Sequence, residues 1–230
     1  MKHSCALFCR PLLIALFIVP SLGFSQVDNS GIYLLDPVGN AVGKGKSIYE
    51  DVSGSAYFHD EWLNGDVYLK TKEIYKGTFL KLNFHTQEVH ALTKNNAEII
   101  LQGETIDRIE IPFKGLRFNF NILKISKDKV TKYLLGDVLV DGEVKLYRVV
   151  KRAIITLKDY NSAVSTKKFK ESTEYYVTYK DKTEEMVKEK DFFNNFIGGK
   201  SDKIEAYFSN KKNKLKKEDD IISFIELLNN

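Results

Sequence analysis

From Ala56 to Thr183 apolar residues recur mainly at every second position, and no stretch of helical period interrupts them. In "GDVYLKTKEIYKGTFLKLNF" (65–84), Val67 and Leu69 alternate with Tyr68 and Lys70. Past a polar turn, Thr78, Leu80, Leu82 and Phe84 alternate with Phe79, Lys81 and Asn83. A strand sends successive side chains to opposite faces, so this pattern predicts strands with one buried and one wet face. Strands are predicted at 65–70, 74–84, 88–93, 97–101, 107–112, 116–125, 132–135, 138–140, 143–151, 153–158 and 174–179. Most links are short and carry Gly, Asn, Asp or Lys. That favours antiparallel neighbours, because a parallel link needs about a dozen residues or more. In "VDGEV" (140–144), Asp141-Gly142 predicts a type I′ hairpin turn with positive φ. The expected fold is mainly β (α+β): an antiparallel meander forming a barrel or sandwich, with a small C-terminal helical module. A membrane-spanning barrel would carry an outward apolar band, and here the outward positions are mostly Lys, Glu and Asp.

The period changes near Lys188. "EKDFFNNFIGG" ends in Gly198-Gly199, a helix stop. Ser201 is a predicted N-cap, with Ile204, Tyr207 and Phe208 on one face of the helix that follows. In "KKEDDIISFIELLNN", Ile221, Phe224, Ile225 and Leu228 follow the i, i+3, i+4, i+7 rule, and Glu218, Asp219 and Asp220 suit the positive end of the helix dipole. Helices this short need a docking partner to persist.

The chain opens with "MKHSCALFCRPLLIALFIVPSLGFSQ". Lys2 and Arg10, the apolar run Leu12 to Val19, Pro20 and the small residues Gly23 and Ser25 have the layout of a secretory signal peptide cut after Ser25. The run is too short to span a hydrocarbon core, which needs about 20 residues. Both cysteines, Cys5 and Cys9, lie in this leader. The remainder therefore has no disulfide, thiolate metal site or cysteine nucleophile. The formal charge is +4, of which Lys2 and Arg10 supply two, so the rest is nearly balanced and nucleic acid is not an expected partner.

Four segments are expected: a signal peptide (1–25), an N-terminal arm or linker (26–55), an antiparallel β domain (56–186) and the helical module (187–230). "DPVGNAVGKGKS" (36–47) is rich in turn-formers; a short strand is expected at 32–35, ordered only by pairing with the sheet. The succession "GSAYFHDEWLNGDVYL", "YKGTFLKLNFHTQEV", "VDGEVKLYR" and "KLKKEDDIISFIELLNN" resembles a group of uncharacterised exported proteins common in Bacteroidota. The resemblance implies a periplasmic or envelope location and brings no known activity and no catalytic residues. It departs from the group at Ala56, where Pro is usual, and at Leu227-Leu228-Asn229, where Tyr-Tyr-Asn is usual.

Three histidines lie beyond the leader: His59, His85 and His90. In "HTQEVH" (85–90), Glu88 and His90 share a strand face and His85 reaches them only across a turn; the spacing matches no established zinc motif. In "FHDEW" (58–62), His59, Asp60 and Glu61 sit beside Trp62, a combination capable of acid–base work on a sugar. Consecutive residues of an extended chain point apart, however, so a structural turn is the expected reading. "STKKFKESTEYYVTYKDK" (165–182) interleaves lysines with Tyr175, Tyr176 and Tyr179; it reads as a strand with solvated lysines, or as a face for a glycan or an anionic lipid headgroup. No nucleotide-binding loop or serine-nucleophile motif is present. No catalytic, cofactor-binding or metal residue is assigned, and no cofactor is expected. The expected function is a non-enzymatic envelope protein that binds another envelope protein or component. The alternatives are a metal-assisted or carboxylate hydrolase built from His59, Asp60, Glu61, His85, Glu88 or His90, and a small-ligand carrier of barrel type, which needs an internal cavity of about 300 Å³ or more.

Overall fold

The computed structural model describes residues 49–127, 129–158, 165–210 and 214–230. The leader and the strand expected at 32–35 lie outside them. Eleven strands form a single sheet: β1 (Val52–Ser53), β2 (Leu63–Leu69), β3 (Ile74–Asn83), β4 (Glu88–Leu92), β5 (Glu98–Leu101), β6 (Ile106–Phe113), β7 (Leu116–Lys127), β8 (Val130–Val140), β9 (Val144–Lys158), β10 (Ser165–Tyr179) and β11 (Lys182–Glu185). The order is β1-β10-β9-β8-β7-β6-β2-β3-β4-β5, with β11 also on β10. Every pairing is antiparallel except the two-residue β1 beside β10. The expected β-rich fold with C-terminal helices is therefore found. The sheet does not close: no ladder joins β5 to β6, β7 or β8.

It is nevertheless curled. Strands β5 and β6 lie four places apart in the sheet, on the order of 19 Å if the sheet were flat. Their link is a tight turn in which Thr105 N–H donates to Gln102 O at 2.9 Å, and such a turn spans less than about 7 Å. Strands β6-β2-β3-β4-β5 must therefore roll until the end of β5 meets the start of β6. The roll is filled by Leu80, Leu82, Ile106, Ile109, Ile111 and Leu135, all nearly inaccessible. Phe58 plugs one end against Phe84, Phe113, Phe118 and Phe120 at 5.1–6.1 Å between ring centroids.

Three strands run longer than their periodicity predicts. β8 continues through Gly136, which sequence reading takes for a break. A Cβ there would sit 2.7 Å from the Leu123 side chain and 3.2 Å from Tyr147, so this glycine makes room for its neighbours rather than a turn. β9 runs through Arg152, and β10 begins at Ser165, nine residues before the predicted start. The type I′ turns also fall elsewhere. Positive φ occurs at Lys114-Gly115 and Lys180-Asp181, each joining two adjacent strands, and not at Asp141 or Gly142. Gly142 has a different duty: a Cβ there would lie 2.5 Å from Asn229 Nδ2.

Asn229 belongs to the helical module of α1 (Lys190–Phe196), α2 (Ser201–Ser209) and α3 (Glu218–Asn229). The apolar stripe Ile221, Phe224, Ile225 and Leu228 is fully buried, as its spacing predicts, and shares one core with Val144, Leu146, Val177 and Tyr179 of the sheet. The Asn229 amide imitates a further strand: Oδ1 accepts from Val144 N–H at 2.8 Å and Nδ2 donates to Val144 O at 2.9 Å. At the other end of α3, Glu218 accepts from Arg148 Nη1 and from Tyr175 Oη, both at 3.0 Å. Ser201 is not the N-cap; Lys200 holds that place, and Ser201 Oγ donates to Asn194 Oδ1. Tyr176 packs on the opposite face of β10 from Tyr175 and Tyr179, as strand alternation requires.

Candidate functional site

The β3–β4 turn shapes the part of the molecule with most chemical content. Its base is Asn83, only 2% exposed, whose Oδ1 accepts from the backbone N–H groups of His85 (2.9 Å) and Thr86 (3.1 Å). That local bonding folds the turn tightly and brings Gln87 to φ +62°. The Gln87 amide then reaches strands 48 and 63 residues away. Oε1 accepts from Leu135 N–H at 3.1 Å, and Nε2 donates to Val150 O and to Phe84 O, both at 2.9 Å. Leu135 and Val150 are the pair that would come next in the β8–β9 ladder after Gly136↔Val149. Gln87 takes their bonds instead. The next β9 amide, Arg152 N–H, donates to Phe84 O at 3.0 Å. The turn is thus a wedge in a fork: the β8–β9 ladder ends there, and the β7–β8 and β9–β10 hairpins continue as two separate arms.

Beside the wedge, where β5 faces the β7–β8 hairpin, lies an open cleft of about 740 Å³. Val89, Leu101, Ile122 and Leu134 give it apolar walls; Lys132, Lys151 and Arg152 bring positive charge. Two of these cations are engaged, Lys151 with Glu174 at 2.5 Å and Arg152 with Glu171 at 3.0 Å. Gly103 touches the far wall, since a Cβ on it would lie 2.6 Å from Tyr133 Cβ.

The three imidazoles occupy separate surroundings. His85 Nδ1 donates to Arg152 O at 2.6 Å, and its ring meets Tyr49 and Phe169 edge-on at 5.6 Å. His59 packs on Phe113 at 4.7 Å and accepts from Glu61 N–H at 3.2 Å; Asp60 accepts from Ser55 Oγ. "FHDEW" is thus a self-bonded turn between the Tyr57–Asn83 bridge and β2. Lys81 Nζ lies 5.6 Å from the Trp62 ring and 4.6 Å from that of Tyr57.

His90 does share a face with Glu88, as the strand period predicts, and Glu98 of β5 joins them. Nδ1 donates to Glu98 Oε1 at 2.7 Å; Nε2 lies 3.7 Å from Glu88 Oε2 with no hydrogen bond of its own. Tyr57 closes this group at 5.9 Å. Glu98 carries no motif in the sequence; strand register sets it opposite Leu92, on the diagonal from His90. Among the described residues no three His, Cys, Asp or Glu side chains are grouped to hold a metal ion.

Burial works against charging His90, but Glu88 and Glu98 outweigh it and hold its pKa above the ordinary imidazole value. A folded-state pKa above the unfolded one means stability that is complete below the unfolded value, about 6.5, and is lost as pH rises through the folded value. The expected result is a fall in unfolding free energy between near-neutral and mildly alkaline pH. That fall should be smaller in His90→Gln, as read from urea midpoints across the range.

Compared with protein-family models, curated proteins and solved structures, the chain matches none.

Proposed function

We propose that the chain is an exported, non-enzymatic binding module of the cell envelope, with the cleft beside the Gln87 wedge as its recognition site. The leader-like N-terminus and the resemblance to exported envelope proteins support the location. The cleft carries the binding reading. It is a large concavity with apolar walls and a few placed polar groups, the usual make-up of a binding site, and wedge bonds to β8 and β9 set its shape. The hydrolase alternative gains no support, because His59, His85 and His90 are committed to separate neighbours. The carrier alternative calls for an enclosed cavity, and the cleft is open.

The absence of cysteine beyond Cys9 makes the test direct. Ser172→Cys, on the cleft wall, and Lys76→Cys, outside it, are each labelled with a photo-crosslinker and illuminated in intact cells. The expected outcome is a discrete adduct in the envelope fraction from position 172 and none from position 76. Free monomer at both positions, or equal adducts, contradicts the proposal.

A further inference from the structure

The two arms beyond the Gln87 fork have a composition unlike the rest of the chain. Segments 122–135 and 150–173 together hold ten Lys and Arg against three Asp and Glu, in a chain whose total charge is +4. Outside the arms, acidic residues outnumber basic ones. Lys124, Lys127, Lys129, Lys132, Lys158, Lys168 and Lys170 are all exposed, and none forms an ion pair among the described residues. Both arms point the same way: β8 and β9 are antiparallel, so the start of one and the end of the other leave the fork together.

These arms also carry exposed aliphatic side chains among the lysines: Val130 (55% exposed), Ile154 (37%) and Leu157 (42%). Ile154 and Leu157 are three residues apart on one strand and so lie on opposite faces of the β9–β10 ribbon. Both faces of the ribbon therefore offer an apolar group to a partner.

We infer that the paired arms dock the protein onto an anionic lipid surface, with the lysines meeting headgroup phosphates and Val130, Ile154 and Leu157 entering the headgroup–acyl boundary. The charge alone would suit any polyanion. The exposed aliphatic groups decide between them, because a soluble acidic polymer offers nothing to bury them in and a bilayer does. Long lysine stems suit the same place, since their methylenes can lie along the acyl boundary while the ammonium stays wet.

The inference rests on the envelope location proposed above, but it is tested separately, with purified protein and vesicles. Binding is expected to vesicles containing phosphatidylglycerol and not to vesicles of phosphatidylcholine alone, and it should weaken with salt. Each arm lysine near the surface should contribute about fivefold to partitioning. Lys124→Glu/Lys127→Glu/Lys168→Glu/Lys170→Glu should then lower it by more than about 100-fold. Reversal of Lys76, Lys94, Lys182 and Lys216, outside the arms, should leave it within a few-fold, and Leu157→Ser should weaken it at unchanged charge. The exposed, unpaired arm lysines can be reversed without loss of folding, which circular dichroism checks. Equal binding to both vesicle types, no binding, or an arm variant that binds like the wild type overturns the inference. So does retention on heparin without vesicle binding, which would make the partner an acidic polymer. Failure on vesicles with position-172 adducts intact refutes the lipid surface alone; vesicle binding by a protein confined to the cytosolic fraction refutes the location alone.

Discussion

Replacing Gln87 by alanine is expected to destabilise the protein by about 2–4 kcal/mol, far beyond the usual effect of changing a half-buried turn residue. The reason is the state of the groups left behind. Leu135 N–H and Val150 O face each other across the fork with the wedge between them, and each unpaired buried backbone group costs about 1–3 kcal/mol. Gln87→Glu should do at least as badly, since a carboxylate cannot donate to the carbonyls of Phe84 and Val150. Thr86→Ala, next door, removes one exposed bond to Glu88 and should cost little. Urea denaturation of the three variants reads the effect as a shift in midpoint at constant slope.

The second large effect is expected at Phe224. Its ring is fully buried, 4.8 Å from Phe193, 4.4 Å from Tyr207 and 5.5 Å from Phe208. Alanine there opens a cavity at the centre of the helical module, and truncations of this kind cost about 3–5 kcal/mol. The same variant asks whether the helices fold apart from the sheet. They share one core with Val144, Leu146, Val177 and Tyr179, and Arg148, Tyr175 and Asn229 bond across the boundary. Far-ultraviolet dichroism and the fluorescence of Trp62, the one tryptophan, should therefore report coincident unfolding in wild type and variant alike. A separate earlier transition for the helices would contradict the shared core.

What the sequence discloses about this fold follows from the range of each interaction. Period two marks β2 to β7 because one face of each meets a core, and period 3.6 marks α3 for the same reason. The N-terminal half of β10 escapes notice because Lys167, Lys168 and Lys170 line an exposed ribbon and leave no clear apolar alternation. Gly136 and Gly142 mislead because their smallness serves Leu123 and Asn229, which lie far off in sequence, rather than a local turn. The type I′ turns at Lys114-Gly115 and Lys180-Asp181 are hard to foresee, since lysine has no intrinsic preference for positive φ. The wedge is invisible: nothing in "HTQEVH" distinguishes Gln87 until Leu135 and Val150 are brought beside it. For the same reason the eye falls first on His85, Glu88 and His90, while the residue that shapes the cleft stands between them.

The account turns on that fork, because the cleft and the parting of the two arms both follow from it. Native-state hydrogen exchange at the Leu135 amide tests it most directly. In the wild type this amide should exchange slowly, with the protection of the central strands, and in Gln87→Ala it should exchange many-fold faster while Arg148 N–H, inside the remaining β8–β9 ladder, keeps most of its protection. A Leu135 amide that already exchanges freely in the wild type, or is indifferent to the loss of Gln87, would mean that no wedge holds the arms apart.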